Sequence, residues 1–317
     1  MLIKSAFPKT KGKLILNVLI TGASGFIGNS ILRYFREKGA DVTGWDVRGS
    51  EDGIVQSVDM CVQANVEQAL DGQKPDVIVH CAGSANVSDS IANPDRDMML
   101  NVNVTHNLLF AMLHHELRST RLIYLSSAGV YGNPVRLPIH EGDPRTPVSP
   151  YALHKTMCED MCRYFNDNHG FDVRVARIFS AYGAGLRKQI FWDMHQKYEG
   201  SGRLGMFGTG DESRDFINIE DLKKAIYLLA VCDYEQRTVN VANGVEVRIR
   251  DAVRIFAAKS GIPENVISFN GNSRVGDPIN WRADVSVLKS LGYEQQVTLE
   301  EGIGAYVEWL RCLGSAQ

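Results

Sequence analysis

The chain has 317 residues, 44% of them hydrophobic, and a formal net charge of −3. That length supports a full-size core, as one large domain or two closely joined ones. The charge marks no surface for nucleic acid or membrane, and no apolar run is long enough to span a bilayer. The first apolar run, "LILNVLITG", is rich in β-branched residues and ends in glycine, so it predicts a buried strand. "FIGNSILRYFREKG" follows with helical spacing and closes at Gly39, and "ADVTGWDV" is a second strand. "PDVIVHCAG" predicts another strand, "NVNVTHNLLFAMLHHEL" a helix, "RLIYLSSAGVYG" a strand, "SPYALHKTMCEDMCRYFNDNHG" a long helix and "FDVRVARIF" a strand. This alternation predicts an α/β fold with a Rossmann-like, doubly wound parallel sheet.

After Phe179 the pattern loosens. "SAYGAGLRKQIFWDMHQKYEGSGRLGMFGTGDESRDF" is glycine-rich with few strand signals. "IEDLKKAIYLLA", "RIRDAVRIFAAKSG" and "TLEEGIGAYVEWLRCL" predict helices, and "TVNVANG" a short strand able to return to the sheet. The expected organisation is a dinucleotide-binding domain over 1–177, with return segments at about 217–243. A smaller α/β C-terminal substrate lobe takes 178–216 and 244–317. Cys61, Cys81, Cys158, Cys162, Cys232 and Cys312 form no CxxC pair and no second metal-spaced pair, so no metal site is expected. With no disulfide spacing and no signal-peptide pattern, the chain reads as cytoplasmic.

"TGASGFIG" sits between predicted strand and helix. Gly22 permits the tight turn, Gly25 lets a phosphate approach the backbone, and Gly28 lets the helix pack close to the strand. The free N–H groups at the helix start favour an anion there. Asp46 ends the second strand, where a carboxylate accepts from ribose hydroxyls and repels a 2′-phosphate. NAD is therefore expected over NADP, with Arg48 as the residue that leaves NADP open.

In "SPYALHKTMCED", Tyr151 and Lys155 are four apart and share a helical face. A tyrosine titrating near 10 is a poor base at neutral pH, and a neighbouring ammonium lowers that value. The pair suits removal of a hydroxyl proton while hydride leaves the same carbon. Ser126 and Ser127 close the strand before it, at the sheet end where ligands bind, and a serine there orients a substrate oxygen. Asn101 is placed to fix backbone geometry, or a water, near the lysine.

Together these residues resemble the extended short-chain dehydrogenase/reductase family, in particular its NAD-dependent nucleotide-sugar epimerases of the UDP-glucose 4-epimerase type. By that resemblance "TGASGFIG" is the cofactor loop, with Gly22, Ser24, Gly25, Phe26, Ile27 and Gly28 as contacts. Asp59 and Met60 fall at the adenine-contacting pair, and Cys81, Ala82 and Gly83 of "HCAG" line the cofactor. Asn101 opens "NVNVT", similar to N-V-x-G-T, and Ser126 joins the cofactor set. Ser127, Tyr151 and Lys155 match the catalytic residues. The resemblance implies that Ser84, Ser127, Ser180, Arg214, Arg274 and Asp277 bind substrate, with both arginines on the diphosphate. Ala128 and Gly129 stand where the dehydratases of the group carry an acid pair, so water loss is not expected. Ser180 replaces the asparagine common in 4-epimerases. The implied activity is epimerisation of a nucleotide-diphospho-sugar at C4 through a 4-keto intermediate, in polysaccharide biosynthesis. The alternative is a 4-reductase or 4-dehydrogenase with exchangeable NAD(P)(H). A homodimer is expected through the helices carrying Asn101 and Tyr151.

Overall fold

The computed structural model describes residues 15–272, 276 and 278–314, so Arg274 and Asp277 lie outside the described residues. The central sheet is built from β1 (Asn17–Thr21), β2 (Asp41–Asp46), β3 (Val55–Ser57), β4 (Val77–His80), β5 (Arg121–Ser127), β6 (Asp172–Ile178) and a late strand. Between β6 and that strand come β7 (Ser180–Tyr182), β8 (Leu204–Met206), β9 (Ser213–Arg214) and β10 (Phe216–Asn218). The late strand is β11 (Thr238–Val241), and β12 (Val247–Arg248) and β13 (Ile267–Phe269) follow it. The order across the sheet is β11-β6-β5-β4-β1-β2-β3. All six pairings are parallel. The return of "TVNVANG" is observed, with Thr238 opposite Val175 and Val241 opposite Ile178.

The helices are α1 (Phe26–Glu37), α2 (Gln63–Leu70), α3 (Val87–Ala92), α4 (Pro94–Met98), α5 (Val104–His114), α6 (Pro150–His169), α7 (Gln189–Ser201), α8 (Ile219–Val231), α9 (Ile249–Ser260), α10 (Ser286–Ser290) and α11 (Leu299–Gly314). Strand side chains alternate between two apolar layers, as the two-residue period requires. Val18, Ile20, Val77, Val79 and Ile123 pack with Ile31 and Phe35 of α1 and Leu222 and Ile226 of α8. Leu19, Ile78, Leu122 and Tyr124 pack on the other face with Val66 of α2, Leu108 and Met112 of α5, and Cys158 and Phe165 of α6. A third cluster joins Phe191 and Met194 of α7 to Phe256 of α9 and Tyr306 and Leu310 of α11.

Four elements differ from expectation. The glycine-rich stretch after Phe179 contains α7, because Phe191 and Met194 bury on one side despite the flanking glycines. The helix expected from Asn101 onward begins as a π-turn, Met99–Asn103, continuous with α4 and α5. Short β3 and α2, unmarked in the sequence reading, complete the sheet edge and cover it.

Candidate active site

The glycine loop follows from steric necessity. Gly22 has φ +66, and a Cβ there would lie 2.7 Å from the Ala82 nitrogen. A Cβ on Gly28 would lie 2.1 Å from the Gly22 carbonyl oxygen. Only glycine lets α1 start this close to β1 and β4. Gly25 caps α1 with no side-chain hydrogen bond, and the first turn holds no acid. The turn's N–H groups are thus left to an external anion, which fits a dinucleotide pyrophosphate. Asp46 stands beside the loop, its carboxylate accepting from Ser24 N at 3.0 Å and Val47 N at 2.8 Å. Ser24 is exposed, and Phe26 and Ile27 are half-buried at the same end of α1.

The strand end of β4 lines the next part of the cleft. Cys81 N donates to Thr21 O at 3.1 Å and Ala82 N to Thr21 Oγ1 at 3.2 Å. Burial pushes the Cys81 thiol up to about 12, so it is no nucleophile. Gly83 (φ +145) passes close to Asn101, whose Oδ1 a Cβ would meet at 2.7 Å. That Oδ1 is buried with no protein partner, while Nδ2 donates to Asp97 O at 3.1 Å. Asp59 is exposed and binds Cys61 N, and Met60 is buried with its carbonyl accepting from Asn107.

Ser149 caps α6 by accepting from Ala152 N at 3.2 Å, and Pro150 fits the first turn. This start brings Tyr151, His154 and Lys155 onto the buried face of α6. The phenol of Tyr151 is influenced by Ser127, the last residue of β5, which lowers its pKa. The Ser127 hydroxyl also accepts from Gly129 N at 3.1 Å, holding the turn that carries Ala128 and Gly129.

The protonation of Tyr151 differs from the expectation. Burial raises its phenol to about 12; Ser127 acts to lower it, and Asp97 and Cys158 raise it further. Lys155 instead donates to Leu125 O at 3.0 Å and lies 4.9 Å from the Tyr124 ring centroid, against 6.0 Å from that of Tyr151. Its own ammonium is disfavoured by burial. Desolvation is the largest influence on the phenol, and the Lys155 ammonium is engaged by the Leu125 carbonyl. Ser126 is also turned elsewhere: its hydroxyl donates to buried Glu159 at 2.6 Å, and Glu159 is clamped by Arg177 at 2.9 and 2.7 Å.

Among the residues expected to meet substrate, Ser84 is half-buried on the loop after β4, and Ser180 begins β7 with its N–H on Asp215 O at 3.0 Å. The Arg214 guanidinium donates to Ser213 O at 2.8 Å and Ile279 O at 3.2 Å and lies 5.4 Å from the Trp281 ring centroid. Next to it, buried Asp215 accepts from Asn243 N, Gly244 N and Ala283 N, each at 3.0 Å, so one carboxylate ties the segments at 243–244 and 283 to the one that carries Arg214. Gly276 closes against the other wall, where a Cβ would touch Val87, Ile91 and Ser149.

Over residues 18–242 the sequence matches the profile described as the NAD dependent epimerase/dehydratase family. The chain belongs to this family. A putative UDP-glucose 4-epimerase of Methanocaldococcus jannaschii is 29% identical over 93% of this chain and 98% of its own length. A GDP-6-deoxy-D-mannose reductase of Pseudomonas aeruginosa is 26% identical over 86% and 94%. The solved UDP-N-acetylglucosamine 4-epimerase of Methanobrevibacter ruminantium M1, in complex with UDP-N-acetylmuramic acid, superposes with a TM-score of 0.83. It is 25% identical, with 94% of this chain and 99% of that one covered.

The family is NAD-dependent, and the geometry of the glycine loop fits such a cofactor. Among the described residues no helix is long and apolar enough to cross a membrane. The sequence reading passed over two groups with unusual surroundings. Asp97 and His154 form a buried pair at 2.7 Å. Lys188 also went unmarked, its ammonium disfavoured by desolvation and favoured in turn by Asp89. The signal for His154 was present in its spacing, three residues after Tyr151 on the same face.

Proposed function

We propose that this chain epimerises a nucleotide-diphospho-sugar at C4 through a transient 4-keto sugar, using resident NAD. The observation that carries this reading is the grouping of Tyr151, Ser127 and Lys155 at the end of β5, followed in the chain by Ala128 and Gly129, which transfer no proton. Tyr151, as phenolate, takes the proton of the sugar 4-hydroxyl and later gives it back. Ser127 hydrogen-bonds the C4 oxygen and orients it toward Tyr151. Lys155 binds the nicotinamide ribose. NAD+, when bound, accepts and returns a hydride, and its positive charge favours the phenolate.

Since neither Ala128 nor Gly129 can expel water, the keto sugar is left to be reduced again. Arg214 and Arg274 hold the diphosphate as charge-assisted partners, so the sugar ring can turn while its anchor stays. Ser84, Ser180 and Asp277 complete the nucleotide-sugar contacts. Gly22, Ser24, Gly25, Phe26, Ile27, Gly28, Asp46, Asp59, Met60, Cys81, Ala82, Gly83 and Asn101 bind the dinucleotide, joined by the Ser126 backbone. The relatives bearing 4-epimerase names support the reaction and favour a UDP-sugar.

Residues 1–177 with 217–243 serve the cofactor, and 178–216 with 244–317 the substrate. The enzyme works in the cytoplasm as a homodimer. Its contact face is supported by Leu153, Met157 and Tyr164, which are 49%, 36% and 52% exposed along the outer side of α6.

The test uses the sugar nucleotide that most stabilises the protein in a thermal screen of UDP-, GDP-, CDP- and dTDP-sugars, with turnover followed by NMR. Tyr151→Phe should lose about 10²–10⁴-fold in rate. Full activity in that variant removes the assignment.

A further inference from the structure

Of the two arginines expected on the diphosphate, Arg214 is the one among the described residues. Its Nη1 donates to Ser213 O at 2.8 Å and to Ile279 O at 3.2 Å. The same two carbonyls pair the segments on which they sit. Ser213 N donates to Ile279 O at 3.1 Å, and Trp281 N to Ser213 O at 3.2 Å. The guanidinium carbon lies 5.4 Å from the Trp281 ring centroid. An aromatic face suits a guanidinium, which is planar and weakly hydrated. The Trp281 ring is itself held from behind. It is 9% exposed, meets Phe179 edge-on at 5.8 Å and donates from Nε1 to Gly132 O at 3.1 Å. Gly132 closes the turn that Ser127 caps. Its place is fixed, because it has φ +56 and a Cβ there would lie 1.9 Å from Thr146 O. A second tie runs alongside: Ile279 N donates to Asn133 Oδ1 at 2.9 Å, and Ile279 O accepts from Arg214.

We propose that Trp281, anchored on Gly132, is a positioning residue that preorganises Arg214 to take a nucleoside diphosphate. This rests on the reading that Arg214 meets the diphosphate of the substrate. A long side chain loses rotamer freedom when it grips an anion, and that loss weakens binding. Here much of the loss has already occurred in the folded chain. Two carbonyls and an indole face set the direction of the guanidinium before any ligand arrives. The indole also covers one face of the guanidinium, and a charge shielded from water attracts an anion more strongly. The hydrogen bond to Gly132 keeps the ring from turning away. Asn133 supports the same arrangement by holding Ile279, whose carbonyl is one of the two.

The experiment measures binding to the full-length protein by titration calorimetry. UDP, GDP, CDP and dTDP are the probes, and the tightest is carried forward beside its nucleoside. Trp281→Leu should weaken the diphosphate about tenfold and the nucleoside by less than about twofold. Trp281→Phe keeps a ring for the guanidinium and should recover affinity to within about threefold of the wild type. Arg214→Gln should weaken the diphosphate at least about tenfold, and adding Trp281→Leu to it should cost less than about twofold more. Wild-type affinity in Trp281→Leu overturns the proposal, as does a Trp281→Phe protein that binds no tighter than Trp281→Leu. Equal weakening of the nucleoside, or a loss that persists in the Arg214→Gln background, overturns it too, since either marks general distortion. If Trp281→Leu fails to fold by circular dichroism, Asn133→Ala, at an exposed residue, takes its place in the cycle with a loss of about threefold expected. Unchanged binding by Arg214→Gln instead removes the diphosphate assignment, and a wild type that binds none of the probes removes the nucleotide-sugar reading. A weakened Arg214→Gln with an additive Trp281→Leu removes only the positioning role.

Discussion

Gly28→Ala tests whether the α1 start is fitted to the loop so closely that one methyl group disturbs it. The new Cβ would stand 2.1 Å from the Gly22 carbonyl oxygen and 2.8 Å from its carbon, with backbone on both sides of the conflict. No rotamer relieves it, so α1 must retreat from the loop by about 1 Å. Overpacking of this kind costs about 1–3 kcal/mol, and alanine's better helix propensity returns at most about 1 kcal/mol. The net loss should be about 1–2 kcal/mol in urea unfolding. NAD+ binding by titration calorimetry should weaken at least about tenfold, or about 1.4 kcal/mol, since the N–H groups move with the helix.

Gly25→Ala provides the contrast. Its Cβ meets only the Gly22 oxygen, at 3.1 Å, which a small shift accommodates. Stability should stay within about 0.5 kcal/mol, while the methyl obstructs the anion's approach and NAD+ binding still weakens. Wild-type stability in Gly28→Ala, or undiminished NAD+ binding in Gly25→Ala, would refute the reasoning.

Two further outcomes are expected. Burial holds His80 near pKa 3, below the unfolded value of about 6.5, so between those values the unfolded chain binds a proton the folded one refuses. Stability should therefore fall by about 1.4 kcal/mol per pH unit below about pH 6.5, a slope that urea titrations at pH 7 and pH 5 should find shallower in His80→Gln; equal slopes would count against a buried neutral imidazole. Light scattering at micromolar concentration should give a dimer for the wild type, and Tyr164→Glu, placing a charge at a 52% exposed aromatic, should shift it toward monomer. A monomeric wild type would dispose of the α6 contact.

Local chemistry was legible where the chain had no alternative. The run "LNVLITGASGFIG" reads as strand, tight turn and helix because Gly22 and Gly28 leave no room for a side chain. "TVNVANG" was legible as a returning strand because it is apolar, β-branched and too short to stand alone. What remained hidden depends on partners distant in sequence. Glycines at 183, 185, 200, 202 and 205 masked α7, whose stability comes from burying Phe191 and Met194 against α9 and α11. The π-turn at Met99–Asn103 is a one-residue shift that no periodicity marks. The expected effect of Lys155 on Tyr151 was reasonable for two neighbours on one helix face. It gave way because the direction of the ammonium, toward Leu125 O, is set by β5. Likewise the partner of His154 is 57 positions away, and nothing near the histidine announces it.

The late strand β11 bears on how this molecule can be altered. It joins the sheet beside β6 only after the chain has passed through β7, α7 and α8. Exchanging the proposed substrate lobe for that of a relative is therefore not a matter of one cut after Ile178. A graft that imported everything beyond that residue would also bring in a foreign sheet strand, which must match Val175 to Ile178 in register. The residues after Ile178 and the integrity of the sheet are thus inherited together in this chain. Swaps that keep residues 238–241 with their native β6 neighbours should be the ones that survive folding.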